Sequence, residues 1–284
     1  TDIDIIAEPG TDLDKYLDRA SEIFPFKAVE EQKRIGKNNI EKRHFKFTYD
    51  SPNNNRPFYI LLDVLFEHNH YSELVQKEIQ NDLLLTEPEY LTVSLPSANC
   101  ILADKLTAFA PHTTGVPLNC GKDMEVMKQF YDVSSLLEIF TDFQQIGPTY
   151  GKIAQAEIAY RGIESNSKDC LWDTFEAALC IASRGKVNKE EYPIYMKGIR
   201  ELRSHIYAEN YTPEIAAERA AKIMYMAACL LSDTEYLRVN DYAEFLGMKI
   251  EQEKLTSLRY MRKVNLEAYA YVITTDRLLT KLQN

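Results

Sequence analysis

The chain has 284 residues, with 33 basic against 43 acidic side chains and a formal net charge of −10. Its length suits one large domain or two ordinary ones, and 45% apolar with 27% charged residues excludes a disordered or fibrous chain. The acidic excess argues against non-specific wrapping of duplex DNA, while leaving room for a local basic site.

Thr1–Ile6 alternates polar and apolar residues, with Ile3, Ile5 and Ile6 as the apolar members, which predicts a strand. Asp12–Ile23 carries Leu13, Tyr16, Leu17 and Ala20 at helical spacing. Glu41–Tyr49 alternates through Phe45 and Phe47, and Phe58–Phe66 is a nearly continuous apolar strand. The turn-rich Asp50–Pro57 between them predicts an exposed hairpin connection. Ser97, after Pro96, is placed to cap a helix whose buried stripe is Ile101, Leu102, Leu106 and Phe109. From about Gly121 onward every periodic segment is helical. The stripes are Val126–Phe130–Val133–Leu137–Phe140, Ile153–Ala156–Tyr160–Ile163, Leu171–Phe175–Ala178–Ala182 and Ala216–Ala220–Ile223–Ala227–Leu230. The expected architecture is α+β: an α/β domain over 1–120 and a helical bundle over 121–284.

Asp2 and Asp4 stand two apart, so on a strand both side chains share a face. Asp63 interrupts the apolar run LLDVL, a costly place for a charge that is neither paired nor metal-bound. Same-face carboxylates joined by a third from a neighbouring strand can hold two Mg²⁺ ions against a triphosphate. A turn or a salt-bridged strand edge is the competing reading of D-x-D.

The segments TDIDII, LLDVLFE, ADKLTAFAPHTTGVPL and KDMEVMKQFYDVSSLLE resemble successive signatures of the AbiEii/AbiGii-type nucleotidyltransferases. These are toxin halves of abortive-infection toxin–antitoxin systems within the DNA polymerase β-like superfamily. The resemblance covers roughly Thr1 to Glu138, and K-x-x-A-F-A-P followed by K-Q-x-Y-D is more specific than D-x-D alone. It implies a polymerase β-like palm, two Mg²⁺ ions, an NTP substrate, a hydroxyl acceptor such as tRNA and a cognate antitoxin. It assigns Asp2, Asp4 and Asp63 to the metals, Lys105 and Lys128 to the nucleotide, and Asp132 to the K-x-x-x-D element. The superfamily's Gly-Gly or Gly-Ser turn should precede D-x-D and is not in the sequence, so part of the nucleotidyltransferase domain is expected to lie upstream of Thr1.

Lys105 shares a helix face with Leu102, Leu106 and Phe109, so its ammonium must snorkel or meet an anion. A triphosphate is one such anion; a salt bridge to Asp104 or another carboxylate is the alternative. Lys128 and Asp132, four apart, are either a solvated pair or cleft residues, with Lys128 towards phosphate and Asp132 positioning a lysine, base or ribose hydroxyl. The expected cleft has the D-x-D strand on one wall and the two lysine helices on the other.

Lys33, Arg34, Lys37, Lys42, Arg43 and Lys46 form a basic stretch that reads either as a phosphate-binding rim or as a guarded hairpin edge. Lys197, Arg200, Arg203 and His205, and then Arg259, Arg262 and Lys263 with Tyr260, read as further basic helix faces. His68 and His70, near Glu67, suit a surface turn better than a metal site. No Walker loop, dinucleotide fingerprint, zinc spacing or nucleophile elbow is present. Trp172 starts an apolar stripe and reads as core. Five cysteines without a C-x-x-C pair suit reduced thiols in a cytoplasm. The longest apolar run, Ile223–Leu231, falls well short of the roughly 18–20 residues of a membrane span. Three readings follow: a Mg²⁺-dependent nucleotidyltransferase toxin, a small-molecule- or antibiotic-modifying nucleotidyltransferase, and a non-catalytic module that keeps the fold.

Overall fold

The computed structural model describes residues 2–32, 41–81 and 86–283. By contact the chain divides into two units, one of Thr1–His70 with Tyr160–Gly162, the other of Tyr71–Ala159 with Ile163–Asn284.

The first unit is built on a four-stranded sheet. Its strands are β1 (Asp2–Ala7), β2 (Ala28–Glu31), β3 (Lys42–Asp50) and β4 (Pro57–Phe66), with helix α1 (Asp14–Ile23) between β1 and β2. The spatial order is β1-β4-β3-β2, with β1 parallel to β4 and the other pairs antiparallel. The β3–β4 connection is tight because Asn55 takes a positive φ of 52° and the Ser51 N–H donates to the Arg56 carbonyl at 2.9 Å. Period-2 alternation sorts the two faces. Phe45, Phe47, Val64 and Phe66 are buried with Leu13 on one face, and Leu17 and Leu62 pack beside them. The opposite face carries Asp2, Asp4, Asp63, Lys42, His44 and Lys46 together with Ile6, Leu61 and Leu65.

In the second unit, β5 (Leu74–Glu78) and β6 (Thr92–Pro96) form a separate antiparallel pair. Seven helices of ten residues or more follow among the described residues: α2 (Ala98–Ala108), α3 (Asp123–Ile139), α4 (Ile146–Arg161), α5 (Ser167–Ala182), α6 (Tyr192–Leu202), α7 (Pro213–Leu231) and, after the short α8 (Met261–Val264), α9 (Leu266–Gln283). Ser97 caps α2 by accepting from the Cys100 N–H at 3.3 Å. Asn166 and Asp169 close a capping box on α5, and Thr212 with Pro213 opens α7.

The division falls after His70, earlier than the expected boundary at 120/121. Leu102 and Leu106 of α2, with Phe109 directly after it, are fully buried in the same core as Phe130, Phe175 and Ile223, so that helix belongs with the bundle. Small residues on α7, Ala216, Ala220, Ala227 and Ala228, let neighbouring helices approach closely. Among the described residues no helix is long and apolar enough to cross a membrane.

Candidate active site

Strand register builds the carboxylate group of the first unit. Asp4 on β1 is the Cα partner of Asp63 on β4, and Asp63 is the partner of His44 on β3. Register partners point to the same face, so Asp4, Asp63 and His44 form one row across three strands. Asp2 lies two residues before Asp4 on that face, opposite Leu61, and Leu61 is in turn opposite Lys46. Lys42 stands at the other end of the β3 segment, opposite Leu65. The face therefore runs from acidic on β1 to basic on β3. It lies on the side of the sheet away from Phe45, Phe47 and Val64, which leaves Asp2 and Asp4 exposed.

Asp63, the charge inside an apolar strand, has found a partner. Its Oδ1 accepts from Nδ1 of His44 at 2.7 Å, with the His44 side chain only 13% exposed. A lone charge in an apolar strand calls for a partner, and His44 is one that the register supplies. Its signal was the KRHFKF alternation: with Phe45 and Phe47 inward, Lys42, His44 and Lys46 must face the other way.

Three hard oxygen donors on one face suit a divalent cation such as Mg²⁺ in chemistry. Asp4 and Asp63 sit on adjacent strands, about 4.8 Å apart in sheet spacing. Among the described residues no group of three or more His, Cys, Asp or Glu side chains is close enough to cage a metal as it stands. Sharing an ion therefore requires a change of rotamer, which the exposed Asp2 and Asp4 can make cheaply.

The other sequence-derived residues lie in the second unit. Nζ of Lys105 on α2 donates to Oε1 of Gln129 at 3.2 Å and stands 3.5 Å from Oδ2 of Asp132, both on α3. The two helices are locked by burial and by the edge-to-face pair Phe109–Phe130 at 5.3 Å. The carboxylate that Lys105 meets is thus Asp132; Asp104 instead accepts from the Tyr71 hydroxyl at 3.2 Å. Lys105 and Asp132 stay 28% and 29% exposed, so the ammonium is oriented without being sealed off. Lys128, one turn before Asp132, is exposed.

The basic stretch divides by face. Arg43 is a correction to the expected rim. Being odd in the alternation, it points away from Asp63 and holds Glu31 at 2.9 Å and Asp14 at 2.9 Å. Those two carboxylates push its pKa further up, against the lowering by burial. Lys42 and Lys46 share the carboxylate face, with Lys46 4.8 Å from the Tyr59 ring. Lys33, Arg34 and Lys37 lie outside the described residues.

Several of the remaining candidates have structural partners. His68 pairs with Glu8 at 2.8 Å and His70 with Glu67 at 3.4 Å, as surface-turn contacts. Lys197 pairs with Asp123 at 2.6 Å, which raises its pKa. The Tyr260 hydroxyl donates to the Ala182 carbonyl at 2.8 Å while Arg184 lies over its ring. Trp172 packs edge-on to the buried Phe175.

A mixed sheet with aspartates on adjacent strands, followed in sequence by a helical unit, is an α+β fold of the nucleotidyltransferase-like kind. The particular family is also clear. The model of the family described as "Nucleotidyl transferase AbiEii toxin, Type IV TA system" matches residues 1–224, and the chain belongs to it. No curated protein and no solved structure matches the chain.

Proposed function

We propose that this member of the AbiEii nucleotidyltransferase toxins moves a nucleoside monophosphate from an NTP to a hydroxyl acceptor, with tRNA as the expected acceptor class. An acceptor oxygen bonds to the α-phosphorus, the bond from that phosphorus to the bridging oxygen breaks, and pyrophosphate leaves. The observation that carries the reading is the in-register Asp4–Asp63 pair, with Asp2 on the same face.

In this reading Asp2, Asp4 and Asp63 hold Mg²⁺, and Asp63 also accepts the proton of the attacking hydroxyl. The bound ions supply charge neutralisation for the triphosphate and for the departing pyrophosphate. Lys105, oriented by Asp132 and Gln129, contributes a fixed cation for phosphate oxygens, and Lys128 a more mobile one. The chain's part is positioning and electrostatics, with no covalent intermediate. Membership in a type IV toxin–antitoxin family implies an antitoxin partner.

The test is transfer of label from α-³²P-NTPs to total tRNA by the full-length protein with Mg²⁺. Asp4→Ala should lose transfer by at least about a hundredfold with an unchanged circular dichroism spectrum, and Lys105→Ala should slow transfer at saturating acceptor. Wild-type levels of transfer in Asp4→Ala would refute the assignment.

A further inference from the structure

We infer that His44 is a positioning residue that holds the Asp63 carboxylate in the orientation needed for a divalent cation. The inference rests on the proposed metal-binding role of Asp63.

The argument starts from the sheet. Asp63 sits on β4, between β1 and β3, so the in-register residues of those two strands flank its carboxylate within the sheet. On the β1 side that is Asp4, another anion. Two carboxylates at adjacent register positions repel, and without a constraint each would rotate away from the other. On the β3 side the register partner is His44, whose Nδ1–H donates to Oδ1 of Asp63 at 2.7 Å. The ring is itself well fixed. It is 13% exposed, its strand is anchored by the buried Phe45 and Phe47 that follow it, and its carbonyl accepts from the Gln32 N–H at 2.7 Å.

A hydrogen bond from a rigid donor fixes rotation of the carboxylate about its terminal torsion, which is otherwise broad. Carboxylates that ligate metals are commonly oriented by such a bond, and its loss weakens metal affinity. Nothing local in the sequence requires histidine here. Thr48 and Lys46 occupy equivalent positions on the same strand face, and either β-branched or long polar residues would serve as strand surface. A histidine opposite the one charged residue inside the apolar strand is the choice that supplies a short, stiff donor.

The test is Mn²⁺ binding by the full-length protein in the presence of a non-hydrolysable NTP analogue, read from the electron paramagnetic resonance signal of free Mn²⁺. Wild type should bind and Asp4→Ala should not. His44→Phe, which keeps the ring and removes the donor, should weaken binding by about tenfold or more. His44→Asn, which retains an N–H near the Nδ1 position, should bind within about threefold of wild type. Melting curves without metal identify any variant that fails to fold, and the Asn variant keeps the test decisive if Phe does. If wild type and Asp4→Ala alike take up no Mn²⁺, the metal reading itself is overturned, and this inference with it. If wild type binds, Asp4→Ala does not, and both His44 variants bind as wild type does, the inference alone is overturned.

Discussion

A buried carboxylate grips the loop after α2, and that grip should depend on pH. Asp173 of α5 accepts from the His112 backbone N–H at 2.8 Å, the His112 Nδ1 at 2.6 Å and the Thr113 hydroxyl at 2.8 Å. The imidazole's other nitrogen lies 3.0 Å from Glu191. The bond to Asp173, reinforced by both acidic neighbours, outweighs burial and pushes the His112 pKa up to about 9. A pKa raised on folding means that the imidazole binds its proton more tightly in the native state. The resulting stability is fully present below the unfolded value of about 6.5 and is lost as pH rises through about 9. In an unscreened site that difference corresponds to about 3 kcal/mol. Because the His112 side chain is 48% exposed, solvent screening reduces it to about 1–2 kcal/mol. His112→Asn keeps an N–H towards Asp173 and removes the charge, so subtracting its urea-unfolding free energy from that of wild type isolates the effect from other titrating groups. Wild type should exceed the variant by about 1–2 kcal/mol at pH 6, with the difference shrinking towards zero by about pH 9.5. A difference that stays constant over that range would refute the electrostatic account.

Two further outcomes follow from packing and from the division of the basic stretch. A Cβ at Gly198 of α6 would overlap the Asp123 carbonyl oxygen of α3 and approach Met127 Cγ to 2.7 Å, so Gly198→Ala should cost about 3 kcal/mol in urea denaturation despite its better helix propensity; an unchanged midpoint would show that the two helices can separate cheaply. Lys42→Glu with Lys46→Glu should weaken tRNA binding and flatten its salt dependence by about 0.7 in log–log slope per lost phosphate contact, as measured by filter binding, while Arg43→Gln should lower stability and leave that slope unchanged.

What the sequence disclosed was local. The β3–β4 hairpin, the Ser97 cap and the helical stripes all depend on residues within a few positions of one another, so periodicity and turn chemistry were sufficient. The short β2, β5 and β6 leave no such local signal. β5 is exposed throughout and β6 nearly so, and neither shows the inward–outward alternation that marks a half-buried strand. The boundary between the units falls after His70 and not at 120/121 because long-range burial of Leu102, Leu106 and Phe109, which periodicity does not reveal, commits α2 to the helical core.

The candidate site divides along the same line. That Asp63 needed a partner follows from one charge in an apolar strand. That the partner is His44, 19 residues away, follows only from the β3–β4 register. Arg43 and His44 are adjacent in sequence and chemically similar, yet alternation sends one to Glu31 and Asp14 and the other to Asp63. A one-residue slip in that pairing would exchange them, putting Arg43 against the carboxylates and His44 in the core where Phe45 and Phe47 now pack. The aromatic pair Phe45 and Phe47, buried on the core side of the sheet, makes such a slip expensive. The residues that fix the core therefore also decide which basic side chain faces Asp63.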